Sequence, residues 1–226
     1  ELNVTGTLTL TSGTLSIGSN NLIIGSAGSI SVTSPDNTKM IIADGSGQLR
    51  KVFSSNASFT YPIGDSSSNY SPATLNFTAG SYTAAYAGIN VTKSKHSNNT
   101  STTDYINRYW TVATSGITSP TCTASFTYLT GDVSGTEANL YGGDYVASSW
   151  NCMDAVNTST HTISKSISTF GAVTAGEIAA MGCCVNPTAG GTVGSDQAIC
   201  SGGDPAAFTS SVLPSGNSGT LEYKWQ

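Results

Sequence analysis

Charge is scarce in this chain. Asp, Glu, Lys and Arg make up only 9% of its 226 residues, against about a quarter in ordinary soluble domains. Solubility therefore rests on hydroxyls and amides, a pattern that suits rigid extracellular β proteins better than cytosolic enzymes. The net charge is −5, with no basic patch or arm, so nucleic acid and anionic membranes are not expected partners. No apolar run approaches the ~20 residues of a spanning helix, and no direct membrane insertion is expected.

Histidine and catalytic motifs are equally sparse. Only His96 and His161 are present, one in a polar loop and one among threonines. There is no GxSxG elbow, HExxH, P-loop or dinucleotide fingerprint. These absences argue against an enzyme, and no cofactor is expected. The five cysteines, Cys122, Cys152, Cys183, Cys184 and Cys200, form no CxxC, which gives a zinc site little support. Disulfides in an oxidising compartment fit better. A Cys122–Cys152 bridge is expected; closing that loop would stabilise the fold by ~3–4 kcal/mol in the chain-entropy model.

What is abundant is alternation. Leu2/Val4, Leu8/Leu10, Leu15/Ile17, Leu22/Ile24 and Ile30/Val32 are apolar pairs spaced by two, so each pair points to one face of a strand. Glycines and Asn20-Asn21 punctuate them. Such a rhythm predicts β-solenoid-like strand repeats over residues 1–45, too few coils to stand alone. From Met40 the pattern changes: MIIADGSGQLRKVF reads as a hairpin turning at Asp44-Gly45. Further short strands are expected at 73–78, 86–92, 106–113, 123–130, 137–142, 160–167 and 170–175. With no amphipathic helix, they describe a central antiparallel β-sandwich over residues 46–180. Residues 181–226, ending LEYKWQ, read as the N-terminal half of an Ig-like domain whose complement lies elsewhere, with Trp225 on a core strand.

Candidate binding residues are few. Asp132, Glu137, Asp144 and Asp154 supply hard oxygens for a weak calcium candidate, although their spacing matches no known calcium loop and Asp favours turns without metal. Tyr105, Tyr109, Trp110, Tyr141, Tyr145 and Trp150 offer flat faces for stacking sugars, yet alternation divides Tyr109 from Trp110 across two faces. Arg108, one of two arginines, is expected to pair with an acid or cover an aromatic face. TYPIGDSSSNYSP (60–72) reads as a shaped inter-strand corner, with Pro62 fixing φ and Gly64-Asp65 turning the chain. Several Asn-x-Ser/Thr triplets, including Asn90 and Asn98, are read as chance in so hydroxyl-rich a sequence.

PIGD and NYSP, then NRYWTV, FTYLTGDVSGTE and STFGAVTAGE, together resemble a β-sandwich module of large secreted Bacteroidetes surface proteins exported by the type IX secretion system. The tail DQAICSGGDPAAFTSS resembles the Ig-like repeats that follow such modules, and the Gly/Thr/Leu strands resemble the β-helical stretches that precede them. The resemblance implies a non-enzymatic extracellular stalk, filament or adhesin segment at the cell surface. The alternative is a carbohydrate-binding accessory module of a polysaccharide-degrading enzyme. Implied partners are flanking domains of a longer chain, neighbouring copies in a filament, or surface glycans.

Overall fold

The computed structural model describes residues 1–182, 189–194 and 210–216. Two compact units are formed, Glu1–Met181 and Gly182–Gln226. The described residues form strands and three short 3-10 turns, with no α-helix, in agreement with the all-β expectation.

The N-terminal strands are β1 (Leu2–Val4), β2 (Thr7–Leu10), β3 (Leu15–Ser16), β4 (Leu22–Ile24), β5 (Ser29–Val32), β6 (Ile41–Ile42), β7 (Leu49–Phe53), β8 (Ser58–Tyr61) and β9 (Ile63–Asp65). They build three parallel ladders. Leu2 sits over Leu22 and Leu22 over Leu49 in β1–β4–β7. Leu8 and Leu10 of β2 pair with Ile30 and Val32 of β5. Leu15, Ile41 and Ile63 stack along β3–β6–β9. The apolar pairs seen in the sequence are thus the inward rungs of successive layers. Exposure falls along one such row, from 55% at Leu2 to 1% at Leu22 and 0% at Leu49.

One expectation fails here. MIIADGSGQLRKVF is not a hairpin: β6 and β7 lie in different ladders and never pair with each other. Gly45 and Gly47 serve a corner instead. A Cβ at either would meet Gly18 O at 2.3 Å or Asn20 O at 2.1 Å, so only glycine lets this corner rest on the layer beneath. Composition signalled a turn correctly, but a close approach looks the same in sequence as a hairpin glycine.

β7 also joins the second half of the unit. Its other edge pairs antiparallel with β11 (Ala73–Thr92), and β11 pairs with β13 (Tyr109–Thr127) along nearly its whole length. The short strands expected at 73–78 and 86–92 are therefore one strand, as are those at 106–113 and 123–130. Register shifts between Phe77 and Tyr86, opposite positive-φ Gly116 and Ser119, break the ribbon into two halves. One half carries β8 and β17 (Thr162–Ile167); the other carries β7 and β18 (Ala172–Glu177). β15 (Leu140–Val146) pairs with β18 and with β16 (Ser149–Ala155), which ends the sheet on that side. Small strands β10 (Asn69–Tyr70), β12 (Tyr105–Ile106) and β14 (Val133–Ser134) edge the framework. The halves meet across an aromatic core. Phe53 stands edge-on to Phe77 at 4.9 Å, Trp110 lies 5.4 Å from Phe126, and the Tyr61 hydroxyl donates to Ala87 O at 3.0 Å.

In the second unit, β19 (Thr192–Val193) pairs with β20 (Ser210–Val212). The expected Trp225 core strand and Cys183, Cys184 and Cys200 lie outside the described residues.

Candidate functional site

The motifs quoted above converge on one buried ion network. Arg108, between β12 and β13, is 0% exposed. Its Nε and Nη2 donate to Asp132 Oδ2 and Oδ1 at 2.6 and 3.1 Å, and its Nη1 donates to Asp65 Oδ2 at 2.9 Å. The planar guanidinium suits this two-sided grip. Neither carboxylate relies on arginine alone: Asp65 also accepts from Ser67 N and Asn69 Nδ2, and Asp132 from Leu129 N. Next along the chain, the Trp110 indole donates to Ser71 O at 3.0 Å. PIGD, NYSP, NRYW and TGD are therefore four parts of one tie across the core. Within the 60–72 stretch, Gly64-Asp65 does not turn the chain as expected: Ile63–Asp65 is strand β9 and the turn falls at residues 66–68. Asp65 is therefore held by the β6–β9 ladder where it can serve this network, a role that the turn reading missed.

A second cluster lies at the surface. Glu137 Oε1 accepts from the Tyr128 hydroxyl at 2.6 Å and faces His161 Nδ1 at 2.7 Å. A carboxylate only accepts, so Nδ1 carries the proton and Nε2 turns towards Thr130 Oγ1 at 3.4 Å. Burial pushes the Glu137 carboxyl up, but the hydrogen bonds from Tyr128 and His161 outweigh it and the net shift is downward. Tyr128 is driven well above the usual phenol range by burial and by its bond to that carboxylate. The long 3.4 Å contact leaves the Thr130 hydroxyl weakly engaged.

The aromatic candidates divide. Trp110 is core, and Tyr105 lies beneath the Lys95 ammonium at 4.4 Å. Tyr109, Tyr145 and Trp150 do come together, but around His96, at ring separations of 5.0, 5.2 and 5.3 Å and mutual angles of 55° to 87°. His96 is itself only 9% exposed, and burial lowers its basicity. Tilted rings packed on an imidazole do not make a flat sugar platform.

The proposed calcium ligands are dispersed over separate partners. Asp132 binds Arg108, Glu137 binds Tyr128 and His161, Asp144 faces Thr169, and Asp154 pairs with Lys165 at 3.2 Å. Among the described residues no group of three acidic, histidine or cysteine side chains gathers to hold a metal.

The expected Cys122–Cys152 bridge is corrected. Cys122 is a free, fully buried thiol, while Cys152 is disulfide-bonded elsewhere. The reason is strand alternation. Cys122 points from β13 into the core beside Phe77 and Ile167, whereas Cys152 is exposed on β16. Loop length alone, the basis of the expectation, says nothing about facing.

Lys51 is a further residue that sequence reasoning passed over. It occupies an inward position between buried Leu49 and Phe53. Its ammonium donates to three carbonyls, Gly25 O at 2.6 Å, Ser26 O at 2.9 Å and Gly28 O at 2.7 Å. A lysine at an apolar rung is the signal that could have marked it. No protein family, characterised protein or solved structure matches this chain.

Proposed function

We propose that the chain is a non-enzymatic extracellular structural or adhesive segment, a stalk, filament or adhesin piece of a large bacterial surface protein. In this reading the parallel ladders are a short β-solenoid running into a β-sandwich, of the kind found in type IX secretion-associated Bacteroidetes proteins. The observation that carries it is continuity: β1, β4, β7, β11 and β13 are neighbours in one hydrogen-bonded sheet, so no flexible joint divides the ladders from the antiparallel part. Internal ties serve rigidity too, since the Arg108 network and the Lys51 cradle span distant segments. At the far end of the ladders, exposed Leu2 and partly buried Leu15 border a hollow of about 330 Å³. A further strand layer, from a flanking domain or a neighbouring copy, would cover it. The low charge and hydroxyl-rich surface suit the outside of the cell.

The alternative, a carbohydrate-binding accessory module, loses its main support because the gathered aromatics are tilted and filled by His96. Two measurements on the native protein separate the readings. Antibody labelling of intact source cells with no retention on a glycan array supports the structural segment. Signal only after cell lysis overturns the surface role, and selective glycan retention abolished by Trp150→Ala transfers the function to the alternative.

A further inference from the structure

β1 is an open edge. It stands at the end of its sheet and, among the described residues, pairs only with β4. Leu2 N donates to Asn21 O at 3.0 Å, and Val4 O accepts from Gly25 N at 2.8 Å. Alternate residues of a strand turn their backbone groups to opposite sides, so Asn3, between these two, directs its N–H and C=O away from β4. Leu2 and Val4 form the first inward rung, and Leu2 stays 55% exposed beside the hollow that Leu15 and Leu22 also line. Exposed edges are ordinarily blunted by charge or proline. From Leu2 to Ile17 there is neither.

The other end of the ladders limits what a second copy can present here. The far edge of β7 is taken by β11 and that of β9 by β10, so copies cannot stack head to tail along these two rows. What a copy does offer is β1 itself. A two-fold axis through Asn3 makes the two β1 strands antiparallel. Asn3 then exchanges both backbone bonds with the partner's Asn3, the reciprocal arrangement of an antiparallel hydrogen-bonded pair. Leu2 falls opposite the partner's Val4, and Val4 opposite the partner's Leu2, apolar against apolar on the inward face. Glu1, the one charge in this layer, falls opposite the partner's Thr5 rather than its own copy. The open layer, residues 1–17, comes close to the ~20 residues a side of a standard interface.

We propose that the chain forms a closed two-fold dimer through β1, in which pairing at Asn3 joins β7–β4–β1 of both copies into one continuous sheet. The inference rests on the open ladder end of the reading above and selects its occupant: a second copy, head to head, and no filament through this end. Burial of Leu2 and closure of the hollow drive association. The backbone pair fixes the register, since a slip of one residue would set Leu2 against the partner's Asn3. The dimer does not depend on where the protein resides, so its failure would leave the surface reading standing.

Sedimentation equilibrium of the full chain over a concentration series tests it. The wild type should weigh one chain when dilute and two when concentrated, with no larger species. Asn3→Pro removes the outward N–H, keeps the bonds of Leu2 and Val4 to β4, and suits an edge strand. It should stay monomeric where the wild type is fully paired. Leu2→Lys, at an exposed position, should weaken pairing by about tenfold or more, and it decides alone if Asn3→Pro fails to fold. Hydrogen exchange at the Asn3 amide should slow as the wild type dimerises. A wild type that is monomeric throughout overturns the proposal, as does an open-ended series of larger species. So does a dimer that either folded variant leaves intact, which places the contact on another face or in a cysteine bridge.

Discussion

Replacing Arg108 with methionine isolates what the buried ion network contributes. Methionine keeps a long, adaptable apolar stem but removes three charge-assisted hydrogen bonds and, among the described residues, the one cation that reaches Asp65 and Asp132. Those carboxylates are 3% and 5% exposed. Stripping one partner from a buried pair costs about 3–5 kcal/mol, chiefly because the charge left behind is uncompensated. Here two charges of like sign are stranded, while Ser67 N, Asn69 Nδ2 and Leu129 N keep part of their solvation. The balance is a loss of about 4 kcal/mol, roughly a quarter or more of the ~5–15 kcal/mol typical of a folded domain. Urea unfolding followed by tryptophan fluorescence reads it, since Trp110 lies two residues away in the core. The informative partner is the triple variant Asp65→Asn, Arg108→Met, Asp132→Asn. With all three charges removed together it should recover to within ~2 kcal/mol of wild type. An Arg108→Met loss under ~1 kcal/mol, or a triple variant no better than the single one, would refute the reasoning.

Asp144→Asn should stabilise the protein at neutral pH by at most about 3 kcal/mol. Because the folded carboxyl is raised to about 6, its stability contribution is complete below the unfolded value and lost as pH rises through about 6. Urea midpoints of the two proteins should therefore converge in acid and separate above neutrality; parallel curves would contradict this. Lys51→Met orphans the carbonyls of Gly25, Ser26 and Gly28 and should cost about 2 kcal/mol. Faster amide exchange across residues 25–29 is the local readout, and unchanged exchange would count against the cradle. The Cys122 thiol, pushed up to about 12 by burial, should resist a thiol reagent at mildly alkaline pH in the folded protein and react promptly in denaturant. Labelling at an exposed-thiol rate would place it outside the core.

What the sequence disclosed was whatever depends on alternation. Leu22/Ile24 and Leu15/Ile17 announced inward rungs because a strand sends every second side chain to one face. Arg108 was legible as an ion-paired residue because arginine is so scarce here. Partner choice was not. Whether β6 pairs with β7 or with β3 and β9 depends on layers brought together by the whole chain, and Gly45 looks alike in either case. Asp65 was hidden for the same reason: its partner lies far along the chain, and Ile-Gly-Asp is a good turn on its own terms. The Cys122–Cys152 expectation failed on facing, which loop length does not encode. Lys51 had a weak local signal that only its neighbours, the carbonyls of Gly25, Ser26 and Gly28, make meaningful.

The placement of β7, parallel to β4 on one edge and antiparallel to β11 on the other, sets an order in time. β11 and β13 are joined by residues 93–108, which carry β12; closure entropy grows only slowly with loop length, so their long antiparallel ladder is expected to form early. β7 gains its antiparallel partner only once that ribbon exists. β4 then requires β7, and β1 requires β4, each layer adding to the one after it in sequence. The ribbon made later in synthesis is therefore expected to order before the outermost layer, Leu2–Val4, which is made first. The row β1–β4–β7 is then completed from its buried end, Leu49, towards its exposed end, Leu2.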